Sequence, residues 1–207
     1  MKTLVRLTLL AALSLASSVC PLAQEPAAPA QKPDAPADTQ YEYRLLATNR
    51  TATMEKEMKE AAEAGYRFEK AISGPTAFGG NEALVIMARP KDGRREARYE
   101  YRLLATSKTS TMQKELQEAG DAGFEHRDET VFKKTFGTEV MVILERDREA
   151  KPRPWEYKLL ATKKTSTMQK EMLEAANEGY QFVGVSVGST FFGGSEVVTI
   201  MRRPRKD

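Results

Sequence analysis

The sequence predicts an α+β protein of three tandem β-α-β-β repeats, each a three-stranded sheet with one helix packed on one face. Three observations predict it. The stretch YEYRLLATNRTATMEKEM, opening at Tyr41, returns as YEYRLLATSKTSTMQKEL at Tyr99 and as WEYKLLATKKTSTMQKEM at Trp155, and recurrence at a near-fixed offset is the signature of a repeat architecture. Within each copy the apolar spacing changes from period 2 to period 3.6, as it must where a strand hands over to a helix. Each copy closes on a short apolar run: Leu84-Val85-Ile86-Met87, Met141-Val142-Ile143-Leu144 and Val198-Thr199-Ile200-Met201.

The elements follow in order. In the opening stretch Tyr41, Tyr43 and Leu45 point one way and Glu42 and Arg44 the other, the alternation of a half-buried strand. The next stretch has helical spacing: Met112, Leu116, Ala119 and Gly123 share a face, as do Met168, Met172, Ala175 and Gly179. Methionines at this spacing, Met54 and Met58 included, are core residues. The Glu/Lys mixture between them, Glu55 with Lys59 for example, reads as a solvated face. Ser110 with Gln113, and Ser166 with Gln169, fit a capping box; the first copy has Ala52 there and caps with Thr51 or Thr53. Gly65, Gly123 and Gly179 fall where a left-handed residue ends a helix, and Tyr66, Phe124 and Tyr180 are placed to cover the last turn. A second strand follows, clearest in Val183-Gly184-Val185-Ser186-Val187. A glycine loop through Phe78-Gly79, Phe136-Gly137 or Phe192-Gly193, one residue shorter in the second copy, leads to a third strand that Pro90 and Pro204 end.

The repeats span 41–90, 99–147 and 155–204. One helix covers one face of such a sheet, and the other is expected to carry Leu46, Leu104 and Leu160. A unit this small buries only about 60% of its unfolded surface and is marginal alone. The three are therefore expected to pack on one another across the short joints 91–98 and 147–154.

Each repeat resembles a small bacterial β-α-β-β family of unknown function, whose members open on a YEYK-type strand, end their helix in a glycine and close on K-R-P. The matching pieces are Tyr41-Glu42-Tyr43-Arg44, Gly65-Tyr66 and Ala88-Arg89-Pro90, and in the third copy Trp155-Glu156-Tyr157-Lys158, Gly179-Tyr180 and Arg202-Arg203-Pro204. The aromatic after the glycine is Tyr or Phe here, where the family has Trp. The resemblance implies a fold and brings no activity and no catalytic residue.

Ahead of the repeats, Lys2 and Arg6 precede an apolar run from Leu7 to Ala16, the pattern of a secretory signal over 1–23 with cleavage after Ala23. Lipidation at Cys20 is the alternative; Ser17-Ser18-Val19 puts a bulky valine where a lipobox has a small residue. Residues 24–40 are a Pro/Ala-rich linker, with Pro26, Pro29, Pro33 and Pro36 favouring extended chain. Cleavage would remove the single cysteine and leave a net charge of +1. A nucleic-acid binder carries a basic surplus or stripe, so that class is set aside. The expected address is periplasmic or secreted, with no transmembrane segment.

Candidate chemistry is sparse. Leu103 to Glu115 and Leu159 to Glu171 differ only at Ser107 against Lys163. Duplication alone leaves such identity. A repeated anion site at the three helix starts is the alternative: Arg50, Thr51 and Thr53; Lys108, Thr109 and Thr111; Lys164, Thr165 and Thr167. The only histidine, His126, replaces Phe68 and Phe182 among Glu125, Asp128 and Glu129, with Glu125 and Asp128 expected on different faces. That set is too poor for a metal site, and the polar strand reads as decayed or at an edge. Glu82, Glu139 and Glu196 recur at the start of the third strand and read as solvent-facing or hairpin contacts. No cofactor is expected. The residues point to an exported, non-catalytic binding or scaffolding module of the cell envelope, its partner an envelope protein or an anionic ligand. The alternatives are an envelope hydrolase using carboxylates between repeats, and ligand binding at the helix starts.

Overall fold

A computed structural model of the chain describes residues 40–75, 81–92, 98–133, 138–189 and 195–205. The expected signal, Cys20, nearly all of the linker and the Phe-Gly loops lie outside the described residues. The first repeat is β1 (Tyr41–Thr48), α1 (Thr51–Glu63), β2 (Arg67–Pro75) and β3 (Asn81–Pro90). The second is β4 (Tyr99–Thr106), α2 (Thr109–Asp121), β5 (Glu125–Lys133) and β6 (Thr138–Asp147). The third is β7 (Trp155–Thr162), α3 (Thr165–Asn177), β8 (Gln181–Ser189) and β9 (Ser195–Pro204). Each forms an antiparallel sheet with its last strand in the middle: β1-β3-β2, β4-β6-β5 and β7-β9-β8. The most continuous apolar run of each repeat thus takes the position flanked on both edges.

The helix ends form as the glycines require. Gly65, Gly123 and Gly179 have φ of 85°, 81° and 90°. The N–H of the next aromatic, Tyr66, Phe124 or Tyr180, donates to the carbonyl of Ala61, Ala119 or Ala175 at 3.0 Å, closing a Schellman turn. The helix starts differ from expectation. Arg50, Lys108 and Lys164 are the N-caps and no side chain caps the helix. The helix begins at the threonine, one residue before Ser110 or Ser166. No capping box forms, and Gln113 is free to bond the next repeat.

A clamp ties the ends of each repeat together. Arg89 donates to Glu42 at 2.8 Å and to the Ala64 carbonyl at 2.8 Å, with its guanidinium 4.5 Å from the Tyr66 ring centroid. Arg146 makes the same contacts with Glu100, the Ala122 carbonyl and Phe124. Arg203 does so with Glu156, the Glu178 carbonyl and Tyr180. One cation therefore joins the opening strand, the helix end and the closing strand, through charge-assisted hydrogen bonds and a cation–π contact. The short motifs of the repeat are explained by this local architecture.

The three repeats stack in one compact unit. Helix α1 rests on β1 and on β4, and α2 on β4 and on β7. Each of these helices is shared by two sheets. The first core combines Leu46, Met54, Met58, Phe68, Val85 and Met87 of repeat 1 with Tyr101, Leu103, Met141 and Ile143 of repeat 2. The second combines Leu104, Met112, Leu116 and Leu144 of repeat 2 with Trp155, Tyr157 and Ile200 of repeat 3. This corrects the face assignment. Leu46 and Leu104 lie against their own helices, and Leu160 holds the same register position. The face without a helix of its own carries Tyr43 and Leu45, Tyr101 and Leu103, Tyr157 and Leu159. Two leucines stand side by side in each copy, so alternation alone does not choose between the faces. Glu55 is corrected too: it pairs with Lys59 and also accepts from the Leu103 N–H at 3.2 Å, across the joint between repeats.

Hydrogen bonds from Arg89 and Arg203 hold the Glu42 and Glu156 carboxyls below the usual carboxylate range. Their contribution to stability is complete above the unfolded value of about 4.3 and is lost as pH falls through the lower folded value. Thermal melts should show the midpoint dropping on acidification below about pH 4, and Arg203→Gln should make that drop shallower.

Candidate interaction surfaces

What joins one repeat to the next is a tyrosine hydroxyl set against a bulge. In each sheet the second strand breaks register after its aromatic or histidine, between Phe68 and Lys70, His126 and Asp128, or Phe182 and Gly184. Tyr101, fully buried, accepts from the Phe68 N–H at 2.8 Å and donates to Glu145 at 2.7 Å. Tyr157 accepts from the His126 N–H at 2.8 Å and donates to the Phe124 carbonyl at 3.0 Å. Burial pushes both phenols up, and the Glu145 charge pushes Tyr101 further, so both hydroxyls keep their protons. A buried backbone N–H without a partner is costly; here the following repeat supplies one.

Beside each tyrosine the helix of the preceding repeat bonds the strand that carries it. Gln113 accepts from the Leu159 N–H at 2.7 Å and donates to the Tyr157 carbonyl at 2.9 Å. Gln117 accepts from the Tyr157 N–H and donates to the Trp155 carbonyl. The helix approaches closely because position 120 is glycine. A Cβ there would lie 2.5 Å from the Trp155 carbonyl oxygen and 2.8 Å from the Tyr157 ring.

Strand β5 is the polar link between both neighbours. Asp128 accepts from the Ala71 N–H at 2.9 Å and pairs with Lys70, and Thr130 donates to Ser73. On the other side Glu125 pairs with Arg202 at 3.2 Å. Glu125 and Asp128 reach opposite neighbours, but not from the different faces that alternation predicts: the bulge sets them opposite Glu145 and Ile143, on one face. It places His126 and Glu129 opposite Leu144 and Val142, on the other face. His126 Nε2 lies 2.6 Å from Glu129, off the line a hydrogen bond takes, with both side chains buried. The polar middle strand does lie at the edge of its sheet, and its polar side chains serve the two interfaces.

The ends of the stack have no such neighbour. Among the described residues the exposed large apolar side chains are Tyr43, Leu45, Ile72 and Ile86 on the outer face of the first sheet, and Leu173, Phe182, Val185 and Val187 on the outer side of the third repeat. Tyr43 is 69% exposed where Tyr101 and Tyr157 are at most 3%, and Phe182 is 52% exposed where Phe68 is 4%. A shallow apolar groove lined by Met168, Met172, Leu173, Phe182 and Met201 marks the second end.

The helix-start residues fall on successive layers of the stack, because a sheet lies between consecutive helices. Arg50, Lys108 and Lys164 are exposed, and their N–H groups donate to Thr48, Thr106 and Thr162 at 3.1–3.3 Å. Thr51, Thr109 and Thr165 open the helices; Thr53, Thr111 and Thr167 follow two residues on. The arrangement does not gather the nine residues at one point. Glu82, Glu139 and Glu196 are half-buried at the start of their strands.

A polar cleft of about 340 Å³ opens beside the 147–154 joint, with Glu125, Glu145 and Asp147 in its walls. Glu145 is paired with Arg67 at 2.9 Å, Glu125 with Arg202, and Asp147 with Arg98. Hydrogen bonding from Arg98 holds Asp147 below the usual range, the opposite of what a general acid needs. Among the described residues no cluster of three or more His, Cys, Asp or Glu is arranged to hold a metal ion, and no helix is long and apolar enough to cross a membrane. No family model, curated protein or solved structure matches the chain.

The tyrosine contact escaped sequence reasoning. Its one signal was the same aromatic at Tyr43, Tyr101 and Tyr157, which alternation treats as ordinary core. Tyr101→Phe takes the hydroxyl from the Phe68 N–H and leaves Glu145 with only its arginine partners, and should cost about 1–3 kcal/mol in urea unfolding. Tyr43→Phe should stay within about 0.5 kcal/mol. Gly120→Ala should cost about 1–3 kcal/mol from overpacking. Gly74→Ala, whose Cβ meets nothing within 4 Å, should be close to neutral.

Proposed function

We propose that this protein is an exported, non-catalytic repeat module of the bacterial cell envelope that binds or scaffolds other protein surfaces through the two ends of its stack. One observation carries the reading: among the described residues the exposed large apolar side chains divide between the two end faces, four on each, with none on the middle repeat. Large contiguous apolar patches on a folded surface mark interaction sites. Terminal repeats of solenoids usually present polar outer faces, and these do not.

The remaining surface gives little support to the other classes. The charge is nearly balanced once residues 1–23 are set aside, which argues against a nucleic-acid stripe. The cleft carboxylates are tied to arginines, which argues against the hydrolase reading. The apolar segment after Lys2 and Arg6 supports export.

A photo-crosslinking amino acid placed at Tyr43 or at Phe182 should give intermolecular adducts in cells. The same group at exposed Lys56, on the flank of α1, should not. Adducts at neither end would overturn the reading. Fractionation should find a shortened chain outside the cytoplasm; a full-length cytoplasmic chain would remove export from it.

A further inference from the structure

The two end faces are counterparts of surfaces that already mate twice inside the chain. The lower surface of each interface is a helix with a bulged strand: Met54, Met58, Phe68 and Ala71 at the first interface, and Met112, Leu116, His126 and Glu129 at the second. The same positions in the third repeat are Met168, Met172, Phe182 and Val185. The upper surface is the helix-free sheet face: Tyr101, Leu103, Thr130 and Ile143, then Tyr157, Leu159, Ser186 and Ile200. The same positions in the first repeat are Tyr43, Leu45, Ile72 and Ile86.

We propose that the partner of each end is the opposite end of a second copy of this chain, so that molecules join head to tail and extend the stack. This rests on the reading that the ends are binding surfaces and names what they bind.

At most positions the fit holds. Gln169 stands where Gln113 grips the Leu159 N–H and the Tyr157 carbonyl, ready for Leu45 and Tyr43 of the next copy. The Phe182 N–H stands beside a bulge, where Phe68 and His126 donate to a tyrosine hydroxyl; Tyr43 carries that hydroxyl. Two of the polar pairs that set register inside the chain are replaced compatibly, while the Asp128 acceptor of the Ala71 N–H has Lys70 as its counterpart, whose ammonium must stay at the rim. Ser73 meets Thr130 at the first interface, and at the ends the corresponding side chains are Val187 and Ile72, both apolar and more than half exposed. Arg67 meets Glu145 and Glu125 meets Arg202 inside; at the ends these positions are Gln181 and Ala88, which bring no charge to bury. Leu173 replaces Gln117, adding apolar area. A contact between unlike faces is heterologous, and it closes into rings or runs into filaments.

The test is sedimentation of the full-length chain over a concentration series, alongside Leu45→Glu, which charges one end, and Leu173→Glu, which charges the other. Both sites are exposed, and circular dichroism with thermal melting confirms that the variants fold. The parent chain should grow in mass with concentration. Each variant alone should be monomeric. An equimolar mixture of the two should give a dimer and nothing larger, because each partner keeps one of the two unlike faces. A parent chain that stays monomeric, variants that still self-associate, or a mixture that stays monomeric would each overturn the proposal. Crosslinks at Tyr43 or Phe182 to other proteins, with no self-association, would remove this partner and leave the binding role standing.

Discussion

The structure depends on a helix being shared between two sheets. A three-stranded sheet with a single helix has one covered face and one bare apolar face, and at this size it cannot bury enough surface to be stable alone. Here α1 and α2 each satisfy their own sheet and the sheet of the next repeat. The bare face of repeat 2 closes the core of repeat 1, and that of repeat 3 closes the core of repeat 2. Stability is then a matter of neighbours, as in other stacked architectures.

Polar detail turns this apolar stacking into a defined register. Each of the first two bulges leaves a backbone N–H that a tyrosine from the next repeat meets, and α1 and α2 offer a glutamate and a glutamine to the first strand of that repeat. The residues that differ among the copies are mostly those that differ in neighbour. Glu55 has one strand N–H to accept from, while Gln113 has both an N–H and a carbonyl to bond. Gly120 admits the backbone at Trp155, where Ala62 stands at the first interface. The middle copy looks divergent because it alone is gripped from both sides. Asp128 and Thr130 answer repeat 1, and Glu125, His126 and Glu129 answer repeat 3.

The arginine clamp acts within each repeat and the tyrosine contact between repeats, and the two are separable. Arg89, Arg146 and Arg203 join strand, helix end and strand in every copy, including the outermost, and need no neighbour. Tyr43 has the sequence of a docking residue and no surface to dock on. The same side chain is therefore a buried structural anchor in two copies and an exposed feature in the third, and only position in the stack separates the two.

The sequence by itself determined the number of repeats, the β-α-β-β order, the glycine-ended helices and the closing prolines. These are local: φ at Gly65 and the spacing of Met112, Leu116 and Ala119 are set by chain geometry within a few residues. It also left the expectation that the units must pack. It did not determine which face packs, because Leu45 and Leu46 are both apolar and period 2 treats them alike. Nor did it separate Ser110 as a cap from Gln113 as a bridge, since the two roles have the same residue types at the same spacing. Those choices belong to the tertiary structure. Contacts between residues some 30 to 80 positions apart, such as Phe68 with Tyr101 and Arg67 with Glu145, decide which side chains are buried and which stay exposed at the ends of the stack.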